Sequence, residues 1–334
     1  MSVSRTDRAD PWLVGVLAAG ISLIGAARPS FWYDEAATIS ASYSRSLGQL
    51  WHMLGNVDAV HGLYYLLMYG WFRVFPPTEF FSRLPSALAI GGAAAGVVVL
   101  AKQFSSRTVA VTSGVFCAIL PRSTWAGIEA RPSALSMMAA VWMTVVVVRA
   151  VRRDDVRSWL AYGIALAFSV VLDTYLVLLP VAYCVYVGAF QRRVWWRFAI
   201  TSVAAVSALL PFLLTVVAQV HQIRWVSPIG HRTIEDVVVQ QYFERSPVFA
   251  VCSVLVVGAA VAVWLARFAP LPQWQLLVLA ACWLVVPTAL IIVYSALVHP
   301  IYTPRYLSFT APAVALVLGV CVVALAAKPW AAAA

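Results

Sequence analysis

Two adjacent carboxylates near the amino-terminal end of the sequence are the first residues whose types and spacing could do chemistry. Asp34 and Glu35 follow the aromatic residues Phe31 to Tyr33 and come shortly after an apolar run that ends near residue 27. A carboxylate beside aromatic rings, which limit the access of water, can act as a general base and remove a proton from a hydroxyl group. Alternatively, the pair could begin a solvated helix, because acidic residues favour the first helical turn.

Three polar residues further along the chain flank apolar segments in the same way. Asp58 and His61 come just before an aromatic-rich stretch, and Arg83 stands at the start of a long apolar run. Each has an ordinary explanation when taken alone. Asp58 can cap the helix that follows, His61 can be an interfacial residue without a partner, and Arg83 can extend from the membrane towards water.

Two arginines occupy similar positions in the later part of the sequence. Arg131 follows Glu129 in a short connection between two apolar runs, and Arg305 lies between His299 and Tyr306 at the start of the last apolar run. The planar guanidinium group can bind two phosphate oxygens at once, which makes Arg305 a candidate phosphate ligand. Glu129 and Arg131 could instead pair with each other, and Arg305 could anchor the chain at the membrane interface.

The composition indicates what must position these residues. The 334 residues are 63% hydrophobic and 11% charged, and the mean hydropathy is +0.87. Soluble domains usually carry about a quarter charged residues, so the sequence predicts an all-α integral membrane protein with about ten transmembrane helices. The net charge of +10 does not come from a basic patch, and nucleic acid is therefore not expected as a partner.

The basic residues predict how the helices cross the membrane. More than half of them fall in the amino terminus, residues 102–107, 149–157 and 192–197, Arg267 and Lys328, which would share the cytoplasmic side. The predicted spans lie near residues 11–27, 84–101, 108–128, 133–150, 158–173, 175–190, 198–218, 247–266, 274–297 and 306–327. Most acidic residues then face outward.

The same topology predicts a single transmembrane domain over residues 1–334, with outer loops at 28–83 and 219–246 and no carboxy-terminal soluble domain. The segment from His61 to Phe75 would place the basic loops outside if it crossed the membrane. It is short and rich in aromatic residues, so we expect a juxtamembrane or re-entrant helix within the first outer loop.

Taken in order, the polar segments resemble the GT-C superfamily of membrane glycosyltransferases. The similar branch contains protein O-mannosyltransferases, the lipid A aminoarabinose transferase and related actinobacterial enzymes. The acidic pair, the Arg-Leu-Pro-Ser start of a span, a Glu-x-Arg segment and a late Arg-Tyr carry the likeness, at residues 34–35, 83–86, 129–131 and 305–306. Residues 58–65 resemble the family's His-Pro-Pro-Leu segment, although His61 is followed here by Gly62 and Leu63.

The resemblance implies a role for each candidate residue. Asp34 would be the catalytic base, and Glu35 and Asp58 would position the acceptor or tune that base. The donor phosphate would be bound by Arg305, Arg131, Arg83, His299 and His61, and the donor lipid or sugar would contact Tyr64, Tyr65 and Tyr306. The carboxylate pair also leaves open a divalent cation, Mg²⁺ or Mn²⁺.

The implied reaction is the transfer of a sugar, mannose or arabinose, from a polyprenyl-phosphate donor with inversion of the anomeric carbon. The acceptor would be a cell-envelope glycan, lipid or protein on the outer face of the plasma membrane, and the amino terminus would be cytoplasmic. Two alternatives belong to other classes. The chain could be a transporter or flippase of a lipid-linked glycan, as its number of spans allows, or a non-catalytic membrane assembly subunit.

Overall fold

The protein is described here by a computed structural model that covers residues 5–267 and 273–327. That part of the chain is helical and contains no strand, so the predicted all-α fold is confirmed. Lys328, which the charge pattern placed on the cytoplasmic side, lies outside the described residues. The helices are α1 Arg5–Ala26, α2 Tyr33–Ser42, α3 Leu47–Asn56, α4 Gly62–Trp71, α5 Glu79–Ala101, α6 Arg107–Ile119, α7 Pro121–Gly127, α8 Ser133–Arg153, α9 Val156–Leu172, α10 Leu179–Phe190, α11 Trp195–Ala208, α12 Leu210–Ala218, α13 Arg232–Glu235, α14 Gln241–Phe243, α15 Pro247–Arg267, α16 Trp274–Leu297 and α17 Ala311–Ala326.

Within the described ranges, six helical segments are long and apolar enough to cross a membrane. They are Asp7–Ala26, Glu79–Ala101, Ser133–Arg153, Pro247–Ala266, Trp274–Leu297 and Pro304–Ala326. A seventh candidate is the pair α11 and α12, which is bent by 56°, and three shorter apolar helices occupy the other predicted positions. Multi-pass membrane insertion agrees with these helices, whereas the count of ten spans stays a prediction.

Prolines explain why two predicted spans are not continuous helices. The span predicted over residues 108–128 is divided, because Leu120 adopts an extended conformation (ψ 127°) immediately before Pro121. Proline lacks a backbone N–H and disfavours a helical conformation in the residue before it. The bend between α11 and α12 lies close to Pro211, which occupies the first turn of α12.

The predicted first outer loop, residues 28–83, is itself largely helical. It contains α2, α3, the short turn Ala59–His61 and α4, and the first turn of α5 starts at Glu79. The predicted juxtamembrane helix corresponds to α4, whose 10 residues are too few to cross a bilayer. Its Tyr64, Tyr65 and Met68 side chains are buried, so this helix packs against the rest of the bundle.

Contacts at one end of the bundle join the loops that were predicted to share a side. Asp10 of α1 forms ion pairs of 2.7 Å with both Lys102 and Arg107 in the next basic loop. The guanidinium of Arg152, at the end of α8, lies 4.6 Å from the centre of the Phe104 ring. The sequence-based grouping of these loops therefore agrees with the structure, and the assignment of this end to the cytoplasm stays a prediction.

Small residues allow the central helices to approach closely. A Cβ atom added to Gly91 of α5 would lie 2.7 Å from the carbonyl oxygen of Gly15 in α1. A Cβ atom added to Gly319 of α17 would lie 2.8 Å from the Cα atom of Ser113 in α6. Backbone contacts of this kind are typical of helix packing in membranes, where van der Waals contacts and hydrogen bonds replace the hydrophobic effect.

We predict that Gly319→Ala lowers the melting temperature of the detergent-solubilised protein, because the new methyl group must separate α6 from α17. The matched control is Gly258→Ala in α15, where no atom lies within 4 Å of the added Cβ. That change should leave the melting temperature equal or higher, since alanine favours helices over glycine by about 1 kcal/mol. Equal melting temperatures for the two variants would contradict the close approach of α6 and α17.

Candidate active site

A buried ion pair fixes the start of α2, where the acidic pair lies. The Glu35 side chain is fully buried and accepts hydrogen bonds from Arg83 Nε and Nη2, both at 2.7 Å. The backbone N–H of Ala130 donates a third hydrogen bond to Glu35, at 2.8 Å. Arg83 also donates to the carbonyl oxygens of Ala26 and Pro29. This pair therefore joins the end of α1, the start of α2, α5 and the connection between α7 and α8.

The neighbouring carboxylate, Asp34, faces a cavity. Its Oδ2 atom lies 2.8 Å from Arg305 Nη1, and Arg131 Nη1 donates a hydrogen bond of 3.3 Å to its backbone carbonyl. The guanidinium of Arg305 lies 5.3 Å from the ring centres of both Trp32 and Trp225. The predicted base and two predicted phosphate ligands, which are far apart in sequence, thus meet at one place.

Arg131 is also bound to His61, which forms another part of this site. Arg131 Nη2 lies 3.2 Å from His61 Nε2. Burial, together with the charges of Arg131 and Arg305, lowers the pKa of His61 well below its usual range. The imidazole is therefore uncharged at neutral pH, and its Nε2 atom can accept the hydrogen bond from the guanidinium.

Asp58 is held by residues that follow α12, in the predicted second outer loop, and its side chain does not cap a helix. It adopts a left-handed conformation (φ 57°), and its side chain makes no capping hydrogen bond. Its carboxylate accepts a hydrogen bond of 3.2 Å from Tyr65 Oη. Its backbone N–H donates to Gln222 at 3.0 Å, and the N–H of Ala59 donates to Gln219 at 2.9 Å. The capping alternative for Asp58 is therefore wrong.

These residues line a cavity of about 960 Å³. Its polar wall includes Asp34, Asp58, His61, Glu129, Arg131, Asp173 and Arg305. Its apolar wall comes mainly from α12, α16 and the turn before α10, through Val177, Leu178, Val216, Val217 and Ile291. Tyr65, Trp225 and Tyr306 add aromatic surface. The cavity can therefore accommodate a ligand that carries both an anionic group and a long apolar chain.

Four predicted site residues do not line this cavity. Glu35 and Arg83 bind each other behind it, as described above, so a contact between Arg83 and the donor phosphate has no support in this geometry. Tyr64 is buried in the hydrophobic core, and His299 lies outside the cavity wall with its Nε2 atom buried. Arg83 does not reach the cavity because its side chain points towards α1 and α2, where backbone carbonyl groups accept its remaining hydrogen bonds.

Glu129 is a cavity residue that the sequence did not include among the site candidates. Its carboxyl group is largely buried, and Oε2 has no hydrogen-bond partner among the described residues. Burial, with a smaller contribution from the charge of Glu35, raises the pKa of Glu129 to about 8. The alternative in which Glu129 pairs with Arg131 is not seen in the described part of the chain, where Arg131 instead binds Asp34 and His61. The Glu-x-Arg spacing in the sequence could have identified Glu129 as a site residue.

The carboxylates of the site do not form a cage for a divalent cation. Both oxygens of Glu35 accept hydrogen bonds from Arg83, and Asp34 is bound to Arg305. Within residues 5–267 and 273–327 there is no group of three His, Cys, Asp or Glu residues with the geometry of a metal site. The binding of Mg²⁺ or Mn²⁺ stays a prediction.

Comparison with known proteins gives one family match. Residues 62–217 match the sequence model of the family described as dolichyl-phosphate-mannose-protein mannosyltransferase. The matched region, a little under half of the chain, includes Arg83, Glu129 and Arg131 but neither Asp34 nor Arg305. No curated protein matches the chain. The chain is therefore similar to this family of membrane glycosyltransferases from α4 into α12.

We predict that Arg83→Ala lowers the free energy of unfolding by about 3–5 kcal/mol, because it leaves the Glu35 carboxylate buried without its partner. The measurement is equilibrium unfolding in mixed micelles. Arg197→Ala is the matched control, since Arg197 and Asp154 form a more exposed ion pair at 2.8 Å, close to the 2.7 Å of Arg83 and Glu35. That change should cost about 1 kcal/mol or less. Similar losses for the two variants would contradict the structural role of Arg83.

Proposed function

We propose that this chain is a membrane glycosyltransferase that moves a sugar from a polyprenyl phosphate to an acceptor hydroxyl group, with inversion at the anomeric carbon. This proposal rests on one observation. Asp34, Arg131 and Arg305 line the same cavity as the apolar residues of α12 and α16. The family match over residues 62–217 independently supports a polyprenyl-phosphate-linked mannose as the donor.

The two arginines suit the phosphate group of such a donor. Guanidinium groups bind phosphate oxygens through paired hydrogen bonds, and the aromatic rings around Arg305 limit its hydration. The prenyl chain would contact the apolar residues of α12 and α16, which continue into the membrane-facing part of the bundle. A lipid-linked donor stays in the bilayer, so it would have to reach this site from the side, between helices.

Asp34 is the proposed base. Its carboxylate accepts the proton of the acceptor hydroxyl as the acceptor oxygen bonds to the anomeric carbon. The bond from that carbon to the phosphate oxygen breaks, and its electron pair leaves with the lipid phosphate. Arg305 contacts Asp34 now and would stabilise the charge that grows on the phosphate. Asp58 would orient the acceptor, Tyr65 would contact the donor lipid or sugar, and His61 would hold Arg131 in place.

The position of the charges favours catalysis over transport. Transport pathways usually place ionisable residues near the middle of spanning helices. Here the charged residues of the cavity wall lie at helix ends or in connections: Asp34 is in the first turn of α2, and Glu129 and Arg131 precede α8. A non-catalytic subunit would not require Asp34 to face the cavity. We further propose mannose, with arabinose as the alternative sugar, and a cell-envelope acceptor outside the plasma membrane.

We predict that Asp34→Asn reduces sugar transfer by about 100- to 10,000-fold, because an amide cannot accept the proton. The assay uses membranes that contain the protein and radiolabelled polyprenyl-phosphate mannose, or separately the arabinose donor. Glu235→Gln is the control, since this acidic residue is exposed in the second outer loop and does not line the cavity.

Equal transfer by Asp34→Asn and the wild type would remove Asp34 from the mechanism. Transfer from only one of the two donors identifies the sugar. Loss of transfer in Glu235→Gln as well as in Asp34→Asn would point to a general effect of acidic substitutions on expression, which immunoblotting of the membranes measures directly.

We also predict that Arg305→Ala lowers kcat by about 100- to 1,000-fold, as the removal of one charge-stabilising donor does in other enzymes. Arg305→Lys should recover part of this loss, because lysine keeps the charge without the planar pair of donors. Arg232→Ala, at an exposed position of α13, is the control. An Arg305→Ala variant with unchanged kcat and a raised KM would assign Arg305 to substrate binding alone.

A further inference from the structure

The Glu129 carboxyl group lies on the cavity wall, and the mechanism above gives it no role. It lies in the short connection between α7 and α8, outside the long helices, and its side chain is 9% exposed. Oε2 is shielded from solvent and has no hydrogen-bond partner among the described residues. An unpaired polar atom in a buried position costs free energy, so its presence at a ligand cavity requires an explanation.

The charged groups around Glu129 already have other partners. Arg122, from α7, forms an ion pair of 2.7 Å with Glu244 and donates to the carbonyl oxygens of Gln240 and Gln241. Arg131 binds Asp34 and His61. In the described part of the chain, therefore, neither arginine forms an ion pair with Glu129.

The other charges that act on Glu129 are bound as well, and one of them is Glu244, the partner of Arg122. Glu35, whose charge disfavours ionisation of Glu129, is held by Arg83, and Arg305 is held by Asp34. Burial is the main cause that raises the pKa of Glu129 to about 8, against the opposing charges of Arg131 and Arg305. The carboxyl group is consequently protonated at neutral pH and offers an O–H donor instead of a negative charge.

We propose that Glu129 contacts the substrate, and that its uncharged carboxyl group donates a hydrogen bond to a phosphate oxygen of the bound lipid. This inference rests on the proposed function, because it assumes that a polyprenyl phosphate occupies the cavity. Glu129 thereby becomes a third phosphate-binding residue beside Arg131 and Arg305.

The chemistry of the leaving group is the reason to choose a phosphate oxygen. As the sugar leaves, the phosphate changes from a diester with one negative charge to a monoester with two. A donor that is fixed in a buried position stabilises this growing charge, and a neutral carboxylic acid can supply such a hydrogen bond at neutral pH. An ionised carboxylate at the same place would repel the phosphate. The two arginines whose charges act on Glu129 are those expected to bind the same group.

The affinity for the phosphate should fall as the pH rises above the pKa of Glu129. Below about pH 8 the free protein carries the proton on Glu129, and a bound phosphate raises the pKa of Glu129 further. Between the free and the bound pKa, binding requires uptake of one proton, so the affinity falls about tenfold for each pH unit. The second pKa of a phosphate monoester is about 6, so the ligand itself remains a dianion over this range.

The test measures equilibrium binding of radiolabelled polyprenyl monophosphate to the full-length protein in nanodiscs, from about pH 7 to pH 9.5. The wild type should lose about tenfold in affinity per pH unit above pH 8. Glu129→Gln, whose amide still donates a hydrogen bond, should bind at pH 7 and show no such decline. Glu129→Leu should bind about tenfold more weakly at pH 7, the effect of one lost hydrogen bond.

Two results would overturn the inference. A Glu129→Gln variant that keeps the wild-type pH dependence would assign the titration to another group. A Glu129→Leu variant that binds as tightly as the wild type at pH 7 would show that Glu129 does not touch the phosphate. Thermal unfolding of each variant, with Glu235→Gln as the matched control, shows whether the bundle is folded in the samples compared.

Binding by Arg305→Ala separates this inference from the proposed function. If wild-type binding depends on Arg305 but not on Glu129, only the role of Glu129 fails and the donor site stands. If the wild type does not bind polyprenyl monophosphate at any pH, the proposed function fails together with the inference.

Discussion

The buried pair of Glu35 and Arg83 is the interaction on which the arrangement of the site depends. A buried ion pair loses the hydrogen bonds that water would make to both groups, so other partners must replace them. Here the N–H of Ala130 donates to Glu35, and Arg83 donates to Glu35 and to backbone carbonyl oxygens. Because those partners belong to α1, α2, α5 and the connection before α8, the pair fixes these elements relative to one another. Asp34, one residue earlier, is thereby held at the cavity, while Glu35 supports it from behind.

Charge compensation within the cavity explains why so many polar groups can lie together in a largely apolar bundle. Arg305 neutralises Asp34, and Arg131 is satisfied by a carbonyl oxygen and an uncharged imidazole. Glu129 avoids a further negative charge by retaining its proton. The wall can therefore present two guanidinium groups to an anion without an unpaired buried carboxylate opposing it.

Hydropathy and the distribution of basic residues were enough to predict the helical membrane fold, since apolar length and loop charge are local properties of a sequence. The meeting of Asp34, Asp58, Arg131 and Arg305 at one cavity followed from a resemblance in their order. The direction in which each side chain points could not be predicted. Sequence spacing does not reveal that Arg83 turns away from the cavity, and the burial that raises the pKa of Glu129 arises from long-range packing. The proline-divided span at residues 108–128 was predictable from Pro121.

The residues that follow α12 are bound to the loop that carries Asp58. Gln219 and Gln222 follow α12 directly, and their side chains accept hydrogen bonds from the backbone of Ala59 and Asp58. The apolar residues Val216 and Val217 of α12 lie on the cavity side, next to this connection. Through the two glutamines that follow it, α12, part of a candidate membrane span, is therefore linked by hydrogen bonds to the backbone of Asp58 and Ala59. If α12 moves away from the cavity, these hydrogen bonds must lengthen or Asp58 must move with it. The position of Asp58 therefore depends on the ligand or lipid that contacts the apolar residues of α12.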